Sequence, residues 1–137
     1  MDEIQVAFRD VEDARPVVRE VARHTPTIPF GDEDGILLKL ENLQRLGVFK
    51  IRGTWNRVSR LSAEDRRRGL TTISSGNHGM SLAWAAQRLG VPCVVRVPEE
   101  AVPRKVEAIR AFGAQVEPMS RAMLVLFHEE ERWREWP

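Results

Sequence analysis

The side chains of this sequence that could do chemistry gather in two short stretches. The first is Val48-Phe49-Lys50-Ile51-Arg52-Gly53, a lysine behind an aromatic residue; the second is Ser74-Ser75-Gly76-Asn77-His78-Gly79. A primary amine is the group that condenses with a carbonyl carbon. Hydroxyls, an amide side chain and glycines, placed after a strand and ahead of a helix, offer donors to an anion such as a carboxylate. Lysine is scarce here: arginine supplies most of the positive charge, and the lysines are Lys39, Lys50 and Lys105. Lys50 is therefore not placed for bulk charge. The bland alternatives are a solvated lysine and a helix start whose free amides are capped by Ser74, Ser75 and Asn77.

The elements that must position these stretches follow from periodicity. After the lysine, Ile51, Thr54 or Trp55, Val58 and Leu61 recur at helical spacing, which predicts a helix with one apolar face and Lys50 in its first turn. A cation there lies at the unfavourable end of the helix macrodipole, so charge is not what the position rewards. Leu70-Thr71-Thr72-Ile73 is a strand rich in β-branched residues that stops at the Ser-Ser-Gly turn. Asn77 to Leu89 is an alanine-rich helix closed by Gly90. Cys93 to Val97 is the next strand, Pro103 opens a helix that Gly113 closes, and Ala114 to Val116 is a short last strand.

Ahead of the lysine helix, Ile36 to Leu40 reads as a buried strand after the acidic turn between Gly31 and Gly35. Phe8, Val11, Val18 and Ala22 mark an amphipathic N-terminal helical region, in which Pro16 starts a second helix or kinks the first. Strands alternating with helices across short turns predict an α/β fold: three αβα layers around a parallel, four-stranded sheet. The site is expected at the carboxyl ends of the strands, where the Ser74 to Gly79 turn lies.

Composition removes several functional classes. With 21 basic against 20 acidic residues and a net charge of +1, nothing in the charge argues for nucleic acid or an anionic membrane. The single cysteine, Cys93, allows no internal disulfide and no cysteine metal cluster, and His24, His78 and His128 show no metal-ligand spacing. Neither Ser74 nor Ser75 sits in a Gly-x-Ser-x-Gly elbow. No run approaches the ~20 apolar residues of a membrane span, and the acidic, mixed N-terminal stretch lacks the basic start and apolar run of a signal peptide. The expectation is a soluble, cytoplasmic protein of one modest domain.

In order and spacing, Leu38-Lys39-Leu40-Glu41-Asn42-Leu43-Gln44, Phe49-Lys50-Ile51-Arg52-Gly53 and Ser74-Ser75-Gly76-Asn77-His78-Gly79 resemble the N-terminal part of the pyridoxal-phosphate-dependent threonine dehydratase and serine racemase family, of fold type II. The resemblance runs from about His24 to Val116. It implies the Rossmann-like small domain of those enzymes over 25–119, after an N-terminal helical segment, 1–24, and before a tail helix, 120–137. Lys50 would hold pyridoxal phosphate covalently and remove the substrate's α-proton. Phe49 would pack near the cofactor ring and Asn77 would bond its 3-hydroxyl. Ser74, Ser75, Gly76, Asn77 and His78 would bind the substrate, chiefly through its carboxylate, and Ser75 matches the opposite-face base of the racemases. The implied reaction is loss of water from threonine or serine, giving a 2-oxo acid and ammonia.

The sequence also departs from that family. Val48 replaces a small hydroxyl residue and Met80 a glutamine, and no two glycines are adjacent, although the family's phosphate cup is a glycine run. On this reading the larger domain is missing and the chain is inactive alone. An apolar face would then be left uncovered, favouring a homo-oligomer. The alternative is a non-catalytic small-domain remnant, or a module that binds a partner or a small carboxylate without turnover.

Overall fold

The computed structural model describes residues 6–31, 35–120 and 122–123. The chain falls into two compact units, Met1–Arg60 and Leu61–Pro137.

In the first unit, helix α1 (Phe8–Arg19) opens where the Ala7 amide donates to Asp10 Oδ2 at 2.8 Å. Pro16 lies inside this helix, neither beginning a second one nor ending the first. No residue of α1 is buried, and Phe8 and Val11 stay 71% and 56% exposed. Strands β1 (Thr27–Pro29) and β2 (Leu37–Lys39) pair antiparallel, with Ile28 opposite Leu38. This corrects the reading of Ile36 to Leu40 as a buried strand of the parallel sheet: Ile36, Leu37 and Leu38 are exposed, and β2 pairs with the segment just before it. A short apolar run marks a strand but does not reveal which neighbour its backbone will find.

Two 3-10 turns, Glu41–Leu43 and Arg45–Gly47, carry the chain into α2 (Lys50–Val58). The Gly47 amide donates to the Gln44 carbonyl at 2.8 Å, and Leu46 and Gly47 both adopt positive φ, 65° and 69°. Glycine takes this conformation freely, whereas a leucine held there costs about 1–2 kcal/mol. Helix α2 buries Ile51, Thr54, Trp55 and Val58, the apolar face that the spacing predicts, and leaves Lys50 exposed.

The second unit opens with α3 (Ala63–Arg68), where Ser62 Oγ accepts from the Asp65 amide at 3.0 Å. Strands β3 (Leu70–Ile73), β4 (Cys93–Pro98) and β5 (Gln115–Met119) form a parallel sheet in that order, with helix α4 (Asn77–Leu89) joining the first pair and α5 (Pro103–Ala111) the second. Along β4, Cys93, Val95 and Val97 are buried, while Val94, Arg96 and Pro98 are half-buried. Val95 and Ile109 of α5 both approach Gly79 of α4, so the two crossover helices share one face of the sheet. On the other face, Arg96 pairs with Glu117 at 3.0 Å and donates to Thr71 Oγ1 at 3.0 Å.

The α/β class is as expected, with two differences in detail. Among the described residues the parallel sheet has three strands, not four, because β2 lies outside it. Among the described residues of the second unit, the two crossover helices cover one face of that sheet. The expected tail helix lies outside the described residues beyond Met123. Among the described residues no helix is long and apolar enough to cross a membrane, and no cluster of His, Cys, Asp or Glu could hold a metal ion.

Candidate active site

The Ser74 to Gly79 loop stands at the carboxyl end of β3 and forms the start of α4. Its first residue extends the sheet, the Ser74 amide donating to the Arg96 carbonyl at 2.9 Å. The Ser74 hydroxyl then turns inward and accepts from the amides of Gly76, at 3.3 Å, and Gly79, at 3.2 Å. Capping by Ser74 was legible; equal shares for Ser75 and Asn77 were not, since the N-cap position itself is Gly76 and no side chain caps from there. Asn77 and His78 open the helix at its positive end. Asn77 and His78 are exposed, and Ser75 and Gly76 half-buried.

Gly79 is a residue whose need the sequence did not disclose. A Cβ at this position would lie 2.5 Å from the Ser74 carbonyl oxygen, 3.1 Å from Val95 and 3.3 Å from Ile109. Only a missing side chain lets α4 start this close to the turn that precedes it.

Lys50 and Phe49 belong to the first unit and the Ser74 to Gly79 loop to the second. Lys50 is the first residue of α2; its Nζ lies 5.3 Å from the centroid of the Phe49 ring, which is 55% exposed. An ammonium over an exposed ring gains about 0.5–1 kcal/mol, enough to bias the side chain without locking it.

One turn around Lys50 is held firmly. Arg52, two residues on, meets Glu41 at two points: Nε to Oε2 at 2.8 Å and a terminal nitrogen to Oε1 at 2.7 Å. Thr25 Oγ1 donates to the same carboxylate at 2.6 Å. The Arg52 hydrogen bonds, aided by Thr25, outweigh the opposing effect of burial and lower the Glu41 pKa to about 2. The buried Gln44 amide adds a two-way bridge, accepting from the Arg23 amide at 2.7 Å and donating to its carbonyl at 2.9 Å. Lys39 donates to the Thr25 carbonyl. Lys39, Glu41, Gln44 and Arg52 thus tie residues 23–25 to the turn before α2 and to α2 itself.

Residues 18–133 match the family described as pyridoxal-phosphate dependent enzyme. The chain belongs to that family. Its members depend on pyridoxal phosphate, and the fold here is that of the small domain of the fold type II enzymes. Among curated relatives, the chain is 37% identical over 116 residues to L-threonine ammonia-lyase of Thermotoga maritima, covering 81% of this chain and 29% of the relative. It is 40% identical over 114 residues to L-threo-3-hydroxyaspartate ammonia-lyase of Saccharomyces cerevisiae, covering 80% and 35%. Among solved structures, serine racemase from Dictyostelium discoideum superposes with a TM-score of 0.77 at 34% identity, over 85% of this chain and 39% of that one. The chain thus spans about a third of the length of the curated relatives it matches.

The residues present fit the family's cofactor in one respect: Lys50 offers an exposed primary amine to an aldehyde.

Proposed function

We infer that this chain carries the lysine-bearing part of a pyridoxal-phosphate-dependent ammonia-lyase that acts on small hydroxy amino acids, with threonine and serine as the first substrates to test. The observation that supports this reading most is the exposed Lys50 at the first position of a helix whose apolar face is fully buried. Pyridoxal phosphate, when bound, supplies the electron sink that stabilises charge at the substrate's α-carbon. Lys50 Nζ would hold the cofactor and move the α-proton. Phe49 would pack near the cofactor ring, and Asn77 would hydrogen-bond its 3-hydroxyl. The side chains and backbone amides of Ser74 to His78 bind the substrate carboxylate, and their hydrogen bonds fix the amino acid's orientation. Ser75 stands ready as a second proton carrier, which would allow racemisation beside elimination.

A second reading has its own support. Ser74 Oγ is already engaged with two amides of its own loop, which is what a purely structural cap requires. On that reading the chain binds a small carboxylate, or a partner, without turnover. Homo-oligomerisation and a cytoplasmic setting belong to the first reading as proposals.

Assay with added pyridoxal phosphate and L-threonine or L-serine separates the two. In a chimera that joins this chain to the remaining part of a relative, release of 2-oxobutyrate or pyruvate with ammonia, lost in Lys50→Ala, is the expected result. Saturable binding of the amino acid without release, unchanged in Lys50→Ala, would favour the second reading.

A further inference from the structure

The stretch that delivers Lys50 is pinned on both sides of a strained turn. Ahead of the turn, the Gln44 side chain bridges the backbone of Arg23 in both directions, at 2.7 and 2.9 Å, and Arg45 Nε donates to the Val21 carbonyl at 3.0 Å. Beyond it, Arg52 meets the Glu41 carboxylate at two points and also donates to the Arg23 carbonyl at 3.3 Å. Between these pins Leu46 keeps a positive φ of 65°, which a leucine holds only where its surroundings over-determine the backbone.

The pins are complete within the first unit. Glu41 Oε1 accepts from both Thr25 and Arg52, and Oε2 accepts from Arg52, so the arrangement forms without a ligand and without any further part of an enzyme. Packed apolar groups could replace a partly buried ion pair at little cost in stability, whereas a two-point contact between guanidinium and carboxylate fixes direction. The direction fixed here is that of the first turn of α2, whose first residue is Lys50. The Lys50 side chain itself stays exposed, with its amine over the Phe49 ring.

We propose that Glu41 and Arg52 are positioning residues for Lys50: their two-point contact holds the first turn of α2 against the Leu46–Gly47 turn and so aims the amine at the cofactor's aldehyde carbon. This role rests on Lys50 being the cofactor-bearing lysine and adds the residues that direct it. A displacement of about 1 Å at a reacting group can cost on the order of a hundredfold in rate, so a contact that never touches the amine still governs it.

The test uses the chimera that joins this chain to the remaining part of a relative, with Glu41→Gln, Arg52→Lys and both together, each at a temperature where circular dichroism shows it folded. Two quantities are read: the rate of pyridoxal phosphate capture at Lys50, by borohydride reduction and peptide mass with Lys105 as internal control, and kcat against KM for the amino acid. Arg52→Lys keeps the charge but cannot make the two-point contact, so it separates aim from charge and keeps the test open should Glu41→Gln fail to fold. Each single variant should slow capture at Lys50 and lower kcat by about tenfold or more, with KM and labelling of Lys105 within about twofold. The double variant should be no slower than the singles, because the two residues act as one unit. A lower melting temperature with both rates unchanged would overturn the proposal, as would full rates in Arg52→Lys or an equal loss of labelling at Lys105. No preferred adduct at Lys50 in the parent chimera would instead overturn the reading of Lys50 itself, and the pair's role with it.

Discussion

Glu41 and Arg52, eleven residues apart in the sequence, meet in a two-point ion pair of 2.7 and 2.8 Å that ties the turn before α2 to the first turn of that helix. Lys50 lies between them in the chain. A bidentate pair of this kind fixes direction as well as distance, and the Glu41 side chain is only 19% exposed. The pair therefore holds the backbone that carries the lysine, and does so without touching it.

Replacing Glu41 by Gln should destabilise the protein by about 2–3 kcal/mol, since Arg52 and Thr25 would lose a charged acceptor in a partly buried place. Urea denaturation at neutral pH measures this. The pH dependence has a definite sign. The folded-state pKa of about 2 lies below the ordinary value of 4.5, so the stabilisation is complete above about pH 4.5 and is lost as pH falls toward 2. Glu41→Gln should flatten that part of the stability profile; an unchanged acid limb would show that Glu41 is not the group responsible.

Gly79→Ala should cost about 1–3 kcal/mol, because the added methyl would meet the Ser74 carbonyl oxygen at 2.5 Å and the neighbouring core atoms leave little room to retreat. Gly76→Ala, three residues earlier, meets nothing within 4 Å at an extended backbone and should change stability by less than about 1 kcal/mol. Thermal melts of the two variants decide it. A similar effect at both positions would contradict the close approach of α4 to its turn.

Ser74→Ala should cost about 1 kcal/mol through loss of the cap to Gly76 and Gly79. Asn77→Ala, at an exposed residue that caps nothing through its side chain, should stay within about 0.5 kcal/mol. If Asn77 serves the cofactor, its removal should appear in cofactor retention and not in stability.

The Cys93 thiol is buried in β4, and desolvation pushes its pKa up to about 11. At pH 8 it should resist iodoacetamide in the folded protein and react once urea unfolds the chain, because only the thiolate attacks. Rapid alkylation without denaturant would mean that β4 opens readily.

Helices α2 and α4 were legible because their apolar residues recur at helical spacing and because Gly90 and Pro103 punctuate the chain where the backbone turns; Gly90 does adopt the left-handed conformation its position suggests, with φ of 65°. Helix α3 was not, since Ala63 to Arg68 carries no apolar stripe and its stability comes from Ser62 and Asp65 exchanging hydrogen bonds. The apolar run before the lysine announced a strand but not its partner, and β2 came out exposed and antiparallel. In the candidate site, Lys50 and the Ser74 to Gly79 loop were visible as contiguous motifs. The clamp of Thr25, Glu41, Gln44 and Arg52 was not, because hydrogen bonds across 11 to 21 residues leave no periodic trace. The left-handed Leu46 was equally hidden, for nothing local favours that conformation in a leucine.

The central claim is that Lys50 is the cofactor-bearing lysine, and reductive trapping tests it most directly. The protein would be incubated with dilute pyridoxal phosphate, reduced with borohydride, and its intact mass and labelled peptides compared with those of Lys50→Ala. A single adduct on the peptide containing Lys50, absent from the variant, is the predicted result. Labelling spread evenly over Lys39, Lys50 and Lys105, or an adduct that survives in Lys50→Ala, would contradict it.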